Sequence, residues 1–248
     1  MGVYVFGLGI PGLLLVGAGL RVLAGDPVPG HLPPWAGAIA LWPGTALVVV
    51  AGAYVARWSG RSPGRLLARA PGACRILWGF ATLPYAAGAW ILLVLTRAVT
   101  RESVAHVVAP SLWLGGVPLP WQGPPVRARG IDAVLNLCLE FGDMARLSRD
   151  PALAYRRVPL LDGSAPLPDE FREAVEWATA RLAEGRTLLV HCAQGHGRSA
   201  TVAAALLVVL GRTADSEAAF AALAAVRPRV HPSTAQKTAV GFFLKPEA

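Results

Sequence analysis

The chain has 248 residues, 54% of them hydrophobic and 15% charged, with a net charge of +8. That is room for one ordinary domain plus something smaller, and too apolar for a simple soluble domain of average composition. The location of the charge excludes a nucleic-acid patch: residues 1–109 hold eight arginines against Asp26 and Glu102, whereas residues 110–248 hold fifteen basic and thirteen acidic side chains. Arginine flanking apolar segments meets anionic lipid headgroups instead. Cys74, Cys138 and Cys192 form no CxxC pair, and the five histidines show no ligand spacing. Neither a disulfide framework nor a metal site is expected, no cofactor is implied, and free thiols fit a reducing compartment.

Three stretches carry no charged side chain: residues 1–20, Leu32–Ala56 and Ile76–Thr96. Each is about long enough to cross a bilayer as a helix. The first lacks the basic beginning of a signal peptide and is long for a signal core, so it reads as an uncleaved span. Pro11, Pro43 and Pro84 fall inside these stretches, where neighbouring helices can satisfy the freed carbonyls. Residues 1–101 are therefore expected as a transmembrane helical region, and 102–111 as a linker. Pro110–Pro125, "PSLWLGGVPLPWQGPP", is uncharged but too rich in proline and glycine for a further helix; its "SLWLGG" reads as a strand and turn.

Beyond it, "AVLNLCL", "AYRRVPLL" and "TLLVHC" have the content of strands. "PDEFREAVEWATARLAEG" puts Phe171, Val175, Ala178 and Leu182 on one helical face, with Asp169 and Glu170 in the first turn and Gly185 at the end. "GRSATVAAALLVVLG" is apolar nearly all round and predicts a central, buried helix. "DSEAAFAALAAVRP" and "PSTAQKTAVGFFL" complete the set. Strands interleaved with helices predict an α/β domain over 112–248, with a central, mostly parallel sheet flanked by helices.

The chemistry concentrates where "TLLVHC" ends. Cys192 is followed by Ala193, Gln194, Gly195, His196 and Gly197, then Arg198 and Ser199 at the start of the apolar helix. Loop amides and the positive end of a helix stabilise a thiolate. The same amides can surround a tetrahedral dianion while Arg198 grips its oxygens. Cys192 would attack phosphorus, water would complete a two-step hydrolysis, and Ser199 could hydrogen-bond the departing sulfur. A carboxylic acid must protonate the leaving group. Asp162, closing the strand "VPLLD" before Gly163, is the candidate; Asp169 and Glu170 are alternatives whose position a helix dipole already explains. His196 either faces the phosphate as a pH-dependent cation or hydrogen-bonds to backbone as a polar loop residue. His191 is expected to order the loop from behind. Arg227, Arg229 and His231 form a basic turn, read as a solvated helix end or as a contact for lipid headgroups.

"HCAQGHGRS" matches the His-Cys-x5-Arg-Ser signature of cysteine-dependent phosphatases, and Leu112 to Leu244 resembles a dual-specificity phosphatase domain through "LWLGG", "AVLNL", "VPLLD", the signature loop and "VRPRVHPS". The resemblance implies Cys192 as nucleophile, Arg198 as phosphate binder and Asp162 as general acid. The acid loop "DGSAP" is similar to that of the mitochondrial phosphatidylglycerophosphate phosphatases. Ala193, Gln194 and His196 stand where several lipid-directed relatives place lysine or arginine, which argues against polyphosphorylated inositol lipids. "NLCLE" resembles a stretch of the tumour-suppressor phosphoinositide phosphatase whose cysteine pairs with the catalytic one; by that resemblance Cys138 is a redox partner of Cys192, and otherwise it is a buried small hydrophobe.

Tethering to a bilayer raises the effective concentration of a membrane substrate. This favours a phosphorylated lipid such as phosphatidylglycerophosphate as substrate, with a phosphoprotein as the alternative; a phosphate-binding adaptor would usually have lost one of Cys192, Arg198 and Asp162. The arginines Arg57, Arg61, Arg65, Arg69 and Arg75 place the loop between the second and third stretches in the cytoplasm. With three full spans the catalytic domain would then face the other side, whereas thiolate chemistry places it on the cytoplasmic side of what the Ala, Gly and Arg bias suggests is a bacterial membrane. The cytoplasmic side is the expectation carried forward, and oligomeric state is left open.

Overall fold

A computed structural model describes residues 2–25 and 33–245. Asp26 and Leu32, both used above, lie outside the described residues, as do 246–248. The chain divides into two units, Met1–Val99 and Thr100–Ala248.

In the first unit the uncharged stretches form helices: α1 (Gly2–Leu23), α2 (Pro34–Trp58), a short α3 (Pro63–Arg69) and α4 (Gly72–Thr100). Pro11, Pro43 and Pro84 lie within α1, α2 and α4. Three of the helices are long and apolar enough to cross a membrane. α1 and α2 meet backbone to backbone at glycines, because there is no side chain to hold them apart. A Cβ on Gly19 would come within 2.7 Å of the Gly37 carbonyl oxygen, and Gly12 and Gly44 repeat the arrangement at 3.0 Å. The stacked rings of Tyr4 and Tyr54, 4.7 Å apart, add to the same contact. α2 reaches α4 through Trp42, whose ring stacks on Phe80 and whose indole N–H donates to the Phe80 carbonyl at 3.0 Å.

The second unit runs β1 (Ala105–Ala109), β2 (Leu112–Gly116), α5 (Gly123–Ala128), β3 (Ala133–Cys138), β4 (Ala154–Leu160), α6 (Pro168–Ala183), β5 (Leu188–Cys192), α7 (Arg198–Val209), α8 (Ser216–Val226) and α9 (Thr234–Phe243). The sheet order is β1-β2-β5-β3-β4, with β1 antiparallel to β2 and every other pair parallel. This is the expected mostly parallel sheet with helices around it. β1 is an addition, since it lies within the stretch read as linker and extends the sheet by one edge strand.

β5 is central and all five of its residues are buried, which explains its run of unbroken apolar content. α7 is buried from Arg198 to Leu207; truncating one of its leucines, such as Leu206, should cost about 3 kcal/mol through lost transfer energy and a residual cavity. The parallel register places Gly116 opposite Cys192, and Asn136 opposite His191. The carboxyl ends of β2, β5 and β3 therefore meet at one edge, where an α/β sheet offers a crevice.

Candidate active site

The site is the loop from Cys192 to Arg198, between the end of β5 and the start of α7. Cys192 is buried, with its sulfur 3.3 Å from the Ser199 hydroxyl and 3.3 Å from the Gly195 amide, which donates to it. Gly195 has φ +86°, and a Cβ there would lie 2.5 Å from the Gly115 carbonyl carbon and 2.8 Å from the Gly116 nitrogen. Only glycine allows the loop to rest on the end of β2. Gly115 is held to glycine separately, because a Cβ there would lie 2.4 Å from the Val104 carbonyl oxygen.

Arg198 is 1% exposed. One edge of its guanidinium donates to both oxygens of Glu140, at 2.6 and 2.8 Å, and Nη1 also donates to the Leu160 carbonyl at 2.9 Å. Asp162 approaches Nη2 at 3.0 Å from the solvent side, its side chain 56% exposed. Burial works against the cation, but Glu140 and then Asp162 more than offset it and hold the guanidinium charged far above its ordinary range. The Arg198 Nε is buried and makes no hydrogen bond to any described residue.

Glu140 is the functional residue that sequence reasoning passed over. It sits in a turn built by Asn136, whose amide donates to the carbonyls of Phe141 and Gly142 and to the Tyr155 hydroxyl, and whose carbonyl accepts from the Cys138 amide at 2.8 Å. Arg157 clamps the same turn through the carbonyls of Cys138 and Leu139. The available signal was an acid four residues after an asparagine in an otherwise uncharged strand, "NLCLE".

The acid loop is held from behind. Gly163 has φ +65°, and buried Ser164 turns its hydroxyl to the Leu161 carbonyl at 2.9 Å. Gln236 of α9 donates to the Ser164 carbonyl at 3.0 Å and lies against Gly197, so one buried amide ties the acid loop to the phosphate loop. The competing acids are accounted for otherwise: Glu170 is buried and accepts from the Leu167 amide at 2.8 Å, while Asp169 is exposed in the first turn of α6.

Cys138 is fully buried at the end of β3 and lies near enough to Cys192 for the two to interact electrostatically; burial first, then the Glu140 carboxylate, push its thiol well above the usual range. His191 is buried beneath the loop. His196 takes neither of the two roles expected, since its Nε2 pairs with the Glu102 carboxylate at 2.7 Å. Arg227 also departs from expectation: it is 1% exposed and bonded to the phosphate loop, while Arg229 and His231 are the solvated members of that turn. Among the described residues no group of three or more His, Cys, Asp and Glu is placed to hold a metal ion.

Comparison with known proteins agrees with this fold. Residues 125–212 match the family described as a polymorphic toxin system DSP-PTPase phosphatase. The chain is 30% identical over 136 residues to the phosphatidylglycerophosphate phosphatase PTPMT1 of Arabidopsis thaliana; the match takes in 54% of this chain and 40% of that protein's length. Among solved structures, PTPMT1 in complex with PI(5)P has a TM-score of 0.52 at 22% identity, over 57% of this chain and 94% of the other. Tk-PTP in its active form has a TM-score of 0.51 at 24% identity, over 56% and 95%. Human DUSP28 has a TM-score of 0.50 at 23% identity, over 57% and 93%. The family match lies within the second unit. With the signature loop at the carboxyl edge of this sheet, Thr100–Ala248 has the fold of the dual-specificity phosphatases and contains the segment that matches the DSP-PTPase phosphatase family, and it is preceded in the chain by helices long and apolar enough to span a membrane.

Proposed function

We propose that this protein is a membrane-tethered phosphatase that hydrolyses phosphomonoesters of a membrane lipid, of the phosphatidylglycerophosphate class, through a cysteinyl-phosphate. The observation that carries this reading is the coincidence of the 30% identity to a phosphatidylglycerophosphate phosphatase with three bilayer-length apolar helices on the same chain.

In this mechanism the substrate phosphate enters the loop and the Cys192 sulfur attacks phosphorus. Glu140 occupies the terminal edge of the Arg198 guanidinium, so the remaining edge, which includes the unpaired Nε and which Asp162 approaches at Nη2, is the one that receives phosphate oxygens as Asp162 turns to the leaving group. As the P–O bond breaks, Asp162 delivers a proton to the leaving oxygen. Water then attacks the cysteinyl-phosphate, and Ser199, 3.3 Å from the sulfur, stabilises the departing thiolate. The domain faces the cytoplasm in this reading, where a free thiol persists.

The test is phosphate release by the full-length protein in mixed micelles, with phosphatidylglycerophosphate and a phosphotyrosine peptide in parallel and Cys192→Ser as blank. A lipid rate well above the peptide rate is expected. A dominant peptide rate replaces this reading with a tethered phosphoprotein phosphatase, and silence on both removes the enzyme.

A further inference from the structure

We propose that Glu102 and Arg227 are positioning residues for the phosphate loop, and that the segment 102–106, which follows the third long helix in the chain, is the loop's outer brace. The proposal rests on the reading of this loop as the phosphate site.

A loop whose amides face an anion must turn its carbonyls outward, and outward carbonyls that are buried need donors. Three residues of the loop meet that requirement. Val117 donates to the Ala193 carbonyl at 3.0 Å, Arg227 to the Gln194 carbonyl at 2.7 Å, and the His231 amide to the His196 carbonyl at 3.1 Å. Arg227 is the only charged donor of the three. It is itself buried, so it requires a counter-charge and further acceptors.

The segment 102–106 supplies them. Arg227 Nη1 donates to the Ser103 carbonyl at 3.0 Å and to His106 Nδ1 at 2.8 Å, while Nη2 lies 3.3 Å from the Glu102 carboxylate. The same Glu102 oxygen pairs with His196 Nε2 at 2.7 Å. One carboxylate therefore neutralises the buried arginine and anchors a loop side chain at once. Burial, then Arg227 on the same side of the balance, favour neutral His106, the form that can accept from the guanidinium. Burial also favours neutral His196, which donates its ring N–H to Glu102.

A second line of contact needs no side chain. Val104 accepts from the Gly116 amide at 2.8 Å, Gly115 packs so closely on Val104 that a Cβ would lie 2.4 Å from its carbonyl oxygen, and Gly195 rests on the same two glycines. Segment, end of β2 and phosphate loop are stacked backbone on backbone. Shifting the segment moves the surface on which Gly195 sits, and with it the amide that reaches the Cys192 sulfur.

The test uses the full-length protein in detergent micelles, with Glu102→Ala, Glu102→Gln and Arg227→Lys. Three quantities are read: kcat and KM on an aryl phosphate, the alkylation rate of Cys192 by iodoacetate followed by mass spectrometry, and the thermal unfolding midpoint. A displaced loop predicts that Glu102→Ala lowers kcat about 10- to 100-fold and slows Cys192 alkylation, after normalising to folded protein. Glu102→Gln, which keeps an acceptor for the His196 N–H and the Arg227 fork but not the charge that offsets the guanidinium, recovers part of both. Wild-type kcat and alkylation in Glu102→Ala overturn the proposal, as does a Glu102→Gln protein as impaired as the alanine variant. If Arg227→Lys does not fold, the Glu102 pair decides alone. A wild-type protein inert on every phosphomonoester defeats the phosphatase reading instead, and the alkylation rates still report whether Glu102 sets the loop.

Discussion

Glu140 meets Arg198 end on, both carboxylate oxygens within 2.8 Å of the terminal guanidinium nitrogens, so the arginine's orientation is fixed before any anion arrives. Glu140→Ala leaves a buried cation without its main counter-charge, which should cost about 3 kcal/mol of stability. It should also lower kcat/KM about 100-fold, because a guanidinium free to rotate no longer presents its other edge. Denaturant unfolding and phosphate release check the two effects separately. Unchanged kcat/KM in a destabilised variant would reduce Glu140 to a structural counter-ion.

Asp162 predicts a dependence on the leaving group. Asp162→Asn should slow hydrolysis of alkyl phosphates about 100- to 1,000-fold and that of an aryl phosphate with an acidic phenol far less, because a good leaving group departs without a proton. Kinetics on a series of phenols and alcohols measure the difference. Equal losses across the series would assign Asp162 to its contact with Arg198 and not to proton delivery.

Two glycines separate backbone strain from crowding. Gly185 and Gly195 both have positive φ, but a Cβ on Gly185 meets open space whereas one on Gly195 meets the backbone of β2. Gly185→Ala should cost about 1 kcal/mol and leave turnover intact. Gly195→Ala should cost more and abolish turnover, since the loop must lift from its support. Thermal unfolding and initial rates on both variants check this; an active Gly195→Ala protein would show that the loop tolerates a different seat.

Cys138 gives a prediction in redox chemistry and in pH. If Cys138 is the redox partner, peroxide would convert the Cys192 thiolate to a sulfenic acid, and attack by the Cys138 sulfur would then form the disulfide and release water. Burial and Glu140 raise the Cys138 thiol well above its ordinary range, so at neutral pH it is protonated and disulfide formation should accelerate as pH rises. Wild type treated with excess peroxide should regain activity with a thiol reductant, and Cys138→Ser should regain less, because its unprotected sulfenic acid is oxidised further to the sulfinic acid that thiols do not reduce. Equal recovery of the two proteins would leave Cys138 as a packing residue.

Much of this was legible in the sequence because the signals were local. Unbroken apolar runs gave β5 and α7, and the residues between them gave the loop, since strand, loop and helix are consecutive. The place of Asp162 beside Arg198 was legible for a similar reason: it closes a strand and precedes a glycine, while Asp169 and Glu170 had a helix start to explain them. Glu140, Gln236 and Glu102 were not, because each acts across the fold on a partner 58, 72 or 94 residues away. Arg227 was misread because a basic residue at a helix end is usually solvated; its burial follows only from loop carbonyls that no pattern in the sequence reveals.

The glycine crossings of α1 and α2 act as a ruler. Gly12 and Gly19 on one helix, Gly44 and Gly37 on the other, mark equal intervals run in opposite directions, and both pairs close only when the two scales are aligned. Sliding α1 by one turn would bring Val16 where Gly12 now stands and Leu23 where Gly19 stands, wedging branched side chains against a carbonyl. The hairpin therefore has a single length at which it shuts. An insertion between Gly12 and Gly19 would spoil one crossing while sparing the other, so the pair behaves as a measured clasp and not as a greasy seam.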